Sequence, residues 1–284
     1  MMGNKQSIAF ASGKGGTGKT SLAVNFAKFM SQYENVELLD LDVEEPNAII
    51  YFQDISVIGS LRSNIKIPSF DKNKCVFCCD CSLRCNFNAI AVLDKDIVHF
   101  PELCKGCGRC KAACKHQAIE FVQKDIGAIN QYADGSLTII EGRLNTGSVH
   151  TKELIKDVKL QSQKEFSILD CPPGTTCPMV ESIIEANYVI LVTEPTPFGL
   201  HDLSLAVEAA QKLKKRFGMI INKSGPNDMI IEEYCIKNGF EIIERIPFSK
   251  ETAIKCINGK LYYSEPFFME KMENIRIFLQ QAVV

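Results

Sequence analysis

Two runs of cysteine carry the first chemistry of this chain: Cys75-x-x-Cys78-x-x-Cys81-x-x-x-Cys85 and Cys104-x-x-Cys107-x-x-Cys110-x-x-x-Cys114. Thiolates at this spacing can converge on an iron–sulfur centre, and two runs make two centres. A second chemistry precedes them. Gly13-Lys14-Gly15-Gly16-Thr17-Gly18-Lys19-Thr20, followed by Ser21, fits the phosphate-loop pattern G-x-x-x-x-G-K-[ST]. Glycines there let backbone N–H groups turn inward on phosphate oxygens, and the dipole of a following helix adds to the attraction. Lys19 then reaches the β/γ-phosphates, and the Thr20 hydroxyl ligates Mg²⁺.

Composition bounds what such groups can serve. The 284 residues are 46% hydrophobic and 23% charged, enough for one large or two ordinary domains with a sizeable core. A net charge of −2 gives no electrostatic case for a nucleic-acid partner. No apolar run approaches the roughly 18–20 residues that span a bilayer. Met1-Met2-Gly3-Asn4-Lys5-Gln6 leads into a strand without a signal-peptide hydrophobic region. Thirteen cysteines in such a chain point to metal ligation rather than disulfides, and to a reducing, low-oxygen cytoplasm.

The elements that must position these groups read as alternating strand and helix. Ser7–Ala11 is an apolar run ending in the glycine loop, and Ser21–Tyr33 has helical spacing of its apolar residues. Val36–Asp42 is a strand with carboxylates at its carboxyl end. Between about Pro68 and Val122 the periodicity breaks into cysteine runs and short loops. Strand-like Phe166–Leu169, Tyr188–Val192, Gly218–Ile221 and Glu241–Ile246 then alternate with helical Pro178–Ala186, Leu203–Arg216, Met229–Asn238 and Glu251–Ile257. The alternation predicts an α/β fold, a mostly parallel sheet with helices on both faces. The domain reading is one α/β domain, 1–67 and 124–284, interrupted by a small α+β insert at 68–123. The insert repeats itself, since Ala89-Ile90 follows the first run as Ala118-Ile119 follows the second.

With Lys14, the loop resembles the deviant Walker A loop of MinD/ParA-type ATPases, the superfamily that includes the nitrogenase iron protein. The likeness covers about 1–60 and 125–284. It implies ATP hydrolysis and an ATP-sandwich homodimer in which Lys14 reaches the partner's nucleotide. Other residues match at family positions: Asp42 the aspartate that orients attacking water, Asp170 and Gly174 the second switch with its indirect hold on Mg²⁺. Asn222 matches the residue that reads adenine, and Pro247 the loop beside the base.

The cysteine spacing is that of bacterial two-cluster ferredoxins, in which the fourth cysteine of each run ligates the other cluster. The resemblance implies one [4Fe–4S] cluster on Cys75, Cys78, Cys81 and Cys114, and a second on Cys104, Cys107, Cys110 and Cys85. Two zinc sites are the alternative. Asn86 and Lys115 stand where ferredoxins usually carry proline, and Cys79 fits no ligand register, which makes it a partly buried non-ligand. The iron protein places a cluster ligand at a fixed offset after its second-switch aspartate, and Cys177 stands at that offset from Asp170. Glu141-Gly142-Arg143-Leu144, the region of its other ligand, has no cysteine. Cys171 and Cys177 therefore read either as a strand-end residue and a helix start, or as a redox or metal pair. Cys235 and Cys256 read as packing residues. The expected function is an ATP-gated electron carrier acting on an unidentified redox or client protein. The alternatives are a cluster-maturation scaffold and a redox-sensing regulatory ATPase.

Overall fold

The computed structural model describes residues 6–53 and 55–282, so residues 1–5, part of the argument against a signal peptide, lie outside it. In chain order the described elements begin β1 (Gln6–Ala11), α1 (Lys19–Met30), β2 (Val36–Asp40), β3 (Ser56–Phe70), α2 (Asp80–Leu83), β4 (Ile90–Leu93) and β5 (Asp96–His99). There follow α3 (Arg109–Ala113), β6 (Ile119–Asp134), β7 (Leu137–Leu144), α4 (Thr151–Leu160), β8 (Phe166–Asp170), α5 (Cys177–Ile183) and β9 (Tyr188–Thr193). The chain continues through α6 (Pro197–Lys212), β10 (Phe217–Ser224), α7 (Met229–Asn238), β11 (Ile242–Pro247), α8 (Lys250–Ile257) and α9 (Pro266–Ala282).

Contacts divide the chain into a larger unit, Met1–Ser60 with Ile129–Arg143 and Ile155–Val284, and a smaller one, Leu61–Ala128 with Leu144–Leu154. The smaller unit is wider than 68–123, because β3 and β6 are long strands that pass from one unit into the other.

The main sheet has the order β11-β10-β9-β1-β8-β2-β7-β6-β3. β1 pairs in parallel with β8 and β9, β2 with β7 and β8, and β10 with β9 and β11. Central strands of such a sheet are covered on both faces, which is why Ile8-Ala9-Phe10-Ala11 is an unbroken apolar run with no exposure at all. Helix α1 lays Leu22, Phe26 and Phe29 onto this core, and α9 adds Phe268, Met272, Ile275 and Leu279. Removing one such ring, as in Phe26→Ala, is expected to cost about 3–5 kcal/mol. Helix α6 starts earlier than the expected Leu203. Thr196 caps it by accepting from Gly199 N at 2.9 Å, and Pro197 suits the first turn. It also stops short of Arg216, where Lys214 takes φ 54°.

The smaller unit holds the antiparallel hairpin β4–β5, the short helices α2 and α3, and two small apolar clusters built partly from cysteine. Its two halves match in backbone as well as sequence. Phe77, Cys79 and Asn88 have φ of 55°, 64° and 50°; Gly106, Gly108 and Gln117, at the same interval that separates Cys75 from Cys104, have 63°, 79° and 51°.

Candidate functional sites

In the larger unit the glycine loop connects β1 to α1 at the carboxyl ends of the parallel strands, where ligands of open α/β sheets bind. Two of its glycines are demanded by geometry. A Cβ on Gly13 would lie 2.0 Å from the Asp202 carbonyl oxygen; one on Gly18, at φ 86°, would lie 2.2 Å from Asn222 Nδ2. The loop is held from behind. Asn222 Nδ2 donates to the Thr17 carbonyl at 2.6 Å, Lys223 Nζ to the Gly16 carbonyl at 2.8 Å, and Gly174 N to the Ser12 carbonyl at 3.0 Å.

Charge is concentrated beneath the loop. Lys19 and Asp170 form a buried ion pair, and Lys19 Nζ also lies 3.2 Å from Thr20 Oγ1. Burial works to lower the Lys19 pKa, but the charge and hydrogen bond of Asp170 outweigh it and hold the ammonium above its ordinary value. Asp40, at the end of β2, is pushed up to about 8 by burial and by the Asp170 charge. Its carboxyl accepts from Asp42 N at 3.2 Å, Asn47 N at 3.0 Å and Ala48 N at 2.9 Å, fixing the loop that carries Asp42. Burial raises Asp42 to about 6, with Lys19 opposing the rise. Thr17 Oγ1 and Asp170 Oδ2 are buried without a protein partner. Lys14 Nζ lies 2.5 Å from Glu194 Oε1, and the other Glu194 oxygen takes Lys223 Nζ at 2.9 Å.

An open cleft of about 1010 Å³ stands over this arrangement. Ser12, Lys14–Ser21 and Asp42 line it, with Glu45, Asn47, Ile50, Tyr51, Pro173, Cys256 and Ile257. Tyr51 Oη and Ser21 Oγ are 2.6 Å apart at its wall.

In the smaller unit the cysteines sort into two cavities. Cys75, Cys78, Cys81 and Cys114 line one, with Cys79 beside them; Cys85, Cys104, Cys107 and Cys110 line the other. The fourth cysteine of each run thus faces the cavity of the other. Backbone N–H groups donate to sulfur in matching fashion: Phe77 N to Cys75 Sγ at 3.3 Å, Ala89 N to Cys85 Sγ at 3.3 Å, and Ala118 N to Cys114 Sγ at 3.4 Å. Burial pushes the Cys81 and Cys104 thiols up, and Cys110 up to about 11. Ionising them calls for cationic partners. Among the described residues no three His, Cys, Asp or Glu side chains are placed to hold a single metal ion.

The family model for the CobQ/CobB/MinD/ParA nucleotide binding domain matches residues 8–261. The chain belongs to this family. Two uncharacterized proteins of Methanocaldococcus jannaschii are similar over most of their length. One is 32% identical over 259 residues, 89% of this chain and 88% of its own; the other is 30% identical over 253 residues, 88% of each. An iron-sulfur cluster carrier protein of Pyrococcus abyssi is 25% identical over 213 residues, 74% of this chain and 58% of its own length. The septum site-determining protein MinD of Pyrococcus horikoshii, complexed with Mg-ADP, has the same fold: TM-score 0.59 at 17% identity, covering 97% of this chain and 96% of that one. A ParA family ATPase from Chlorobium tepidum gives 0.58 at 17% identity, with 97% and 99% covered.

The MinD/ParA family is one of P-loop ATPases. Within that frame the structure brings Lys14, Gly15, Gly16, Thr17, Gly18, Lys19, Thr20, Ser21 and Asp42 to one cleft, with Asp170 buried against Lys19. Asn222 stands behind the loop, and Pro247 ends the edge strand β11; neither lines the cleft. Cys171 is fully buried, its thiol pushed up to about 12 by burial, whereas Cys177 is exposed at the first turn of α5. Three cleft-side residues escape a reading of the sequence. Asp40 is the nearer of two strand-end carboxylates, and only the loop geometry shows which of them builds and which of them faces the cleft. Glu194 precedes a helix cap and gives no motif. Cys256 packs against the core as expected, and it also lines the cleft beside Ile257. Cys79, expected to be partly buried, is exposed.

Proposed function

We propose that the protein is an ATPase that carries two [4Fe–4S] clusters and couples a nucleotide-driven dimer switch to electron transfer through them. The observation that carries this reading is the sorting of the eight expected ligands four to each of two cavities, each set completed by the last cysteine of the other run, with Cys79 as a fifth cysteine on the first. Two runs of C-x-x-C-x-x-C-x-x-x-C, the spacing of two-cluster ferredoxins, favour clusters over zinc. Cys75, Cys78, Cys81 and Cys114 would hold one cluster, and Cys85, Cys104, Cys107 and Cys110 the other, within the sequence insert 68–123. Such a cluster supplies a one-electron store.

At the nucleotide, the unpartnered Thr17 Oγ1 and Asp170 Oδ2 mark where a phosphate and its hydrated cation fit. Backbone N–H groups of Gly15 to Thr20 cradle the phosphates. Lys19 exchanges part of its contact with Asp170 for the β/γ-oxygens. Thr20 and Asp170 would hold Mg²⁺, which would offset phosphate charge. Asp42 orients the attacking water. Lys14 completes the partner's site across a homodimer, so closure follows ATP binding and hydrolysis reopens it. The test is electron paramagnetic resonance of anaerobically reduced protein with and without ATP: two cluster signals that shift with nucleotide support the reading. About two zinc atoms per chain and no sulfide overturn it.

The similarity to the Pyrococcus abyssi iron-sulfur cluster carrier protein favours a second reading, in which the ATPase delivers a cluster to a client protein. Rapid transfer of iron and sulfide to an apo-acceptor, without electron transfer, would select it.

A further inference from the structure

The two cysteine cavities are built on the same backbone but not on the same chemistry. Where the second has Gly108 and Phe87 on its wall, the first has Cys79 and His116 at the repeat-related positions. The first cavity therefore meets five thiols and an imidazole, the second four thiols and only carbon and hydrogen at the two extra places.

Cys79 holds its place against backbone preference. It takes the left-handed conformation, φ 64°, that its counterpart Gly108 takes at 79°. The position has room for a side chain, since a Cβ on Gly108 meets nothing nearer than the Phe121 ring at 3.9 Å. The Cys79 thiol is exposed and donates to the Phe77 carbonyl at 3.6 Å, a long contact that a better partner can replace. Its chain neighbour Cys78 is also exposed, while Cys81 is buried and Cys75 and Cys114 are half-buried. Cys78 is thus the expected ligand most open to displacement.

We propose that Cys79 is an alternate iron ligand of the first cavity, able to take the position of Cys78, and that the first cavity is the exchangeable site while the second is fixed. The inference rests on the two-cluster reading above. In the exchange Cys79 gives up its thiol proton as its sulfur binds iron, and Cys78 takes up a proton as its sulfur leaves. No electron changes hands. His116 stands at the same wall as a further polar group, which makes that side hospitable to an incoming ligand.

Four variants, prepared anaerobically without reconstitution, decide it: Cys78→Ala, Cys79→Ala, Cys78→Ala/Cys79→Ala and Cys107→Ala. Iron, sulfide and the reduced paramagnetic resonance spectrum are compared with the parent, and exposed thiols are alkylated and mapped by mass spectrometry. Cys78→Ala should keep the parent's iron and sulfide with an altered first-cluster spectrum, and Cys79 should change from labelled to protected. Cys79→Ala should also keep full iron, which shows that the backbone there tolerates substitution. The double variant, and Cys107→Ala alone, should lose iron. Loss of iron in Cys78→Ala equal to that in the double variant, or Cys79 labelled alike in parent and Cys78→Ala, overturns the proposal. A parent without iron and sulfide overturns the cluster reading itself and takes this inference with it.

Discussion

The Lys14 ammonium and the Glu194 carboxylate lie 2.5 Å apart in the same chain, and Lys223 closes on the other oxygen of Glu194. Burial works to raise the Glu194 pKa, but the hydrogen bonds from the two lysines hold it below the ordinary range, so both ion pairs persist at neutral pH. On the proposed reading, the lysine that a partner subunit needs is thus tied down in its own. Glu194→Gln should weaken the tie by about 1 kcal/mol, the scale of a part-exposed pair. Two such ties are released per dimer, so ATP-dependent dimerisation, followed by light scattering, should then begin at roughly thirtyfold lower protein concentration. Lys14→Ala should still bind ATP yet neither dimerise nor hydrolyse it. Unchanged dimerisation in Glu194→Gln would show that the pair is no restraint.

Lys19 has a structural as well as a ligand-binding consequence. It is the cation against which Asp170 is buried, with Asp40 close enough to feel the same charge. Lys19→Ala should therefore lose ATP binding and also destabilise the larger unit by about 3–5 kcal/mol, the cost of leaving a buried carboxylate unpaired. Denaturant unfolding measures the second effect. Lys14→Ala should change stability by no more than about 1 kcal/mol.

Asp42 sets an acid limb on hydrolysis. Its carboxyl titrates at about 6, raised chiefly by burial, and only the carboxylate can accept a hydrogen bond from the attacking water. The kcat/KM for ATP, which reports the free protein, should be flat above this value and fall about tenfold per pH unit below it. Asp42→Asn should abolish hydrolysis while leaving ATP binding intact. A kcat/KM that holds steady down to pH 5, in protein still folded, would remove Asp42 from the role.

Gly13 tests whether the loop must pack tightly on α6. A methyl group there would lie 2.0 Å from the carbonyl oxygen of Asp202, which is backbone and cannot swing aside. Gly13→Ala should weaken nucleotide affinity at least tenfold by displacing the loop. Gly15→Ala, where an added Cβ meets no protein atom within 4 Å, should leave stability and the loop's packing unchanged, as thermal unfolding would show.

Much of this was legible because motif and buried strand coincide. Gln6–Ala11, Val36–Asp40 and Phe166–Asp170 are apolar runs whose carboxyl ends lead into the loop, Asp42 and Asp170, so the family resemblance could be laid onto one edge of the sheet. The resemblance to two-cluster ferredoxins likewise implied two sets of four cysteines, and each set lines one cavity, though the presence of Cys79 on the first was not implied. β3 was not legible, since Ser56–Phe70 is largely exposed and carries no sustained alternation to mark a strand. Helix α4 does bury Leu154, Ile155 and Val158 at helical spacing, but its Lys- and Glu-rich face dilutes the signal. Glu194 and Cys256 lie far in sequence from the residues they join, and tertiary contact of that kind leaves no local pattern.

The second-switch cysteines supply the last test, because they report on nucleotide without touching it. Asp170 pairs with Lys19 and Gly174 binds the Ser12 carbonyl, so a change at the phosphates acts directly on the turn leading to Cys177. Cys171 lies in the same turn but is fully buried, donates only to the Leu169 carbonyl at 3.8 Å, and has its thiol pushed up to about 12. At neutral pH its thiolate fraction is on the order of one in 100,000. Cys171 should therefore resist alkylation with any nucleotide and react only on unfolding. Exposed Cys177 should label readily, at rates that differ severalfold between ADP and a non-hydrolysable ATP analogue. Labelling of Cys171 in folded protein would show that this turn opens. If nucleotide changes neither Cys177 labelling nor the cluster potentials, ATP does not distinguish two states of the protein. A ligand with equal affinity for two states cannot shift them, and electron gating would then be excluded.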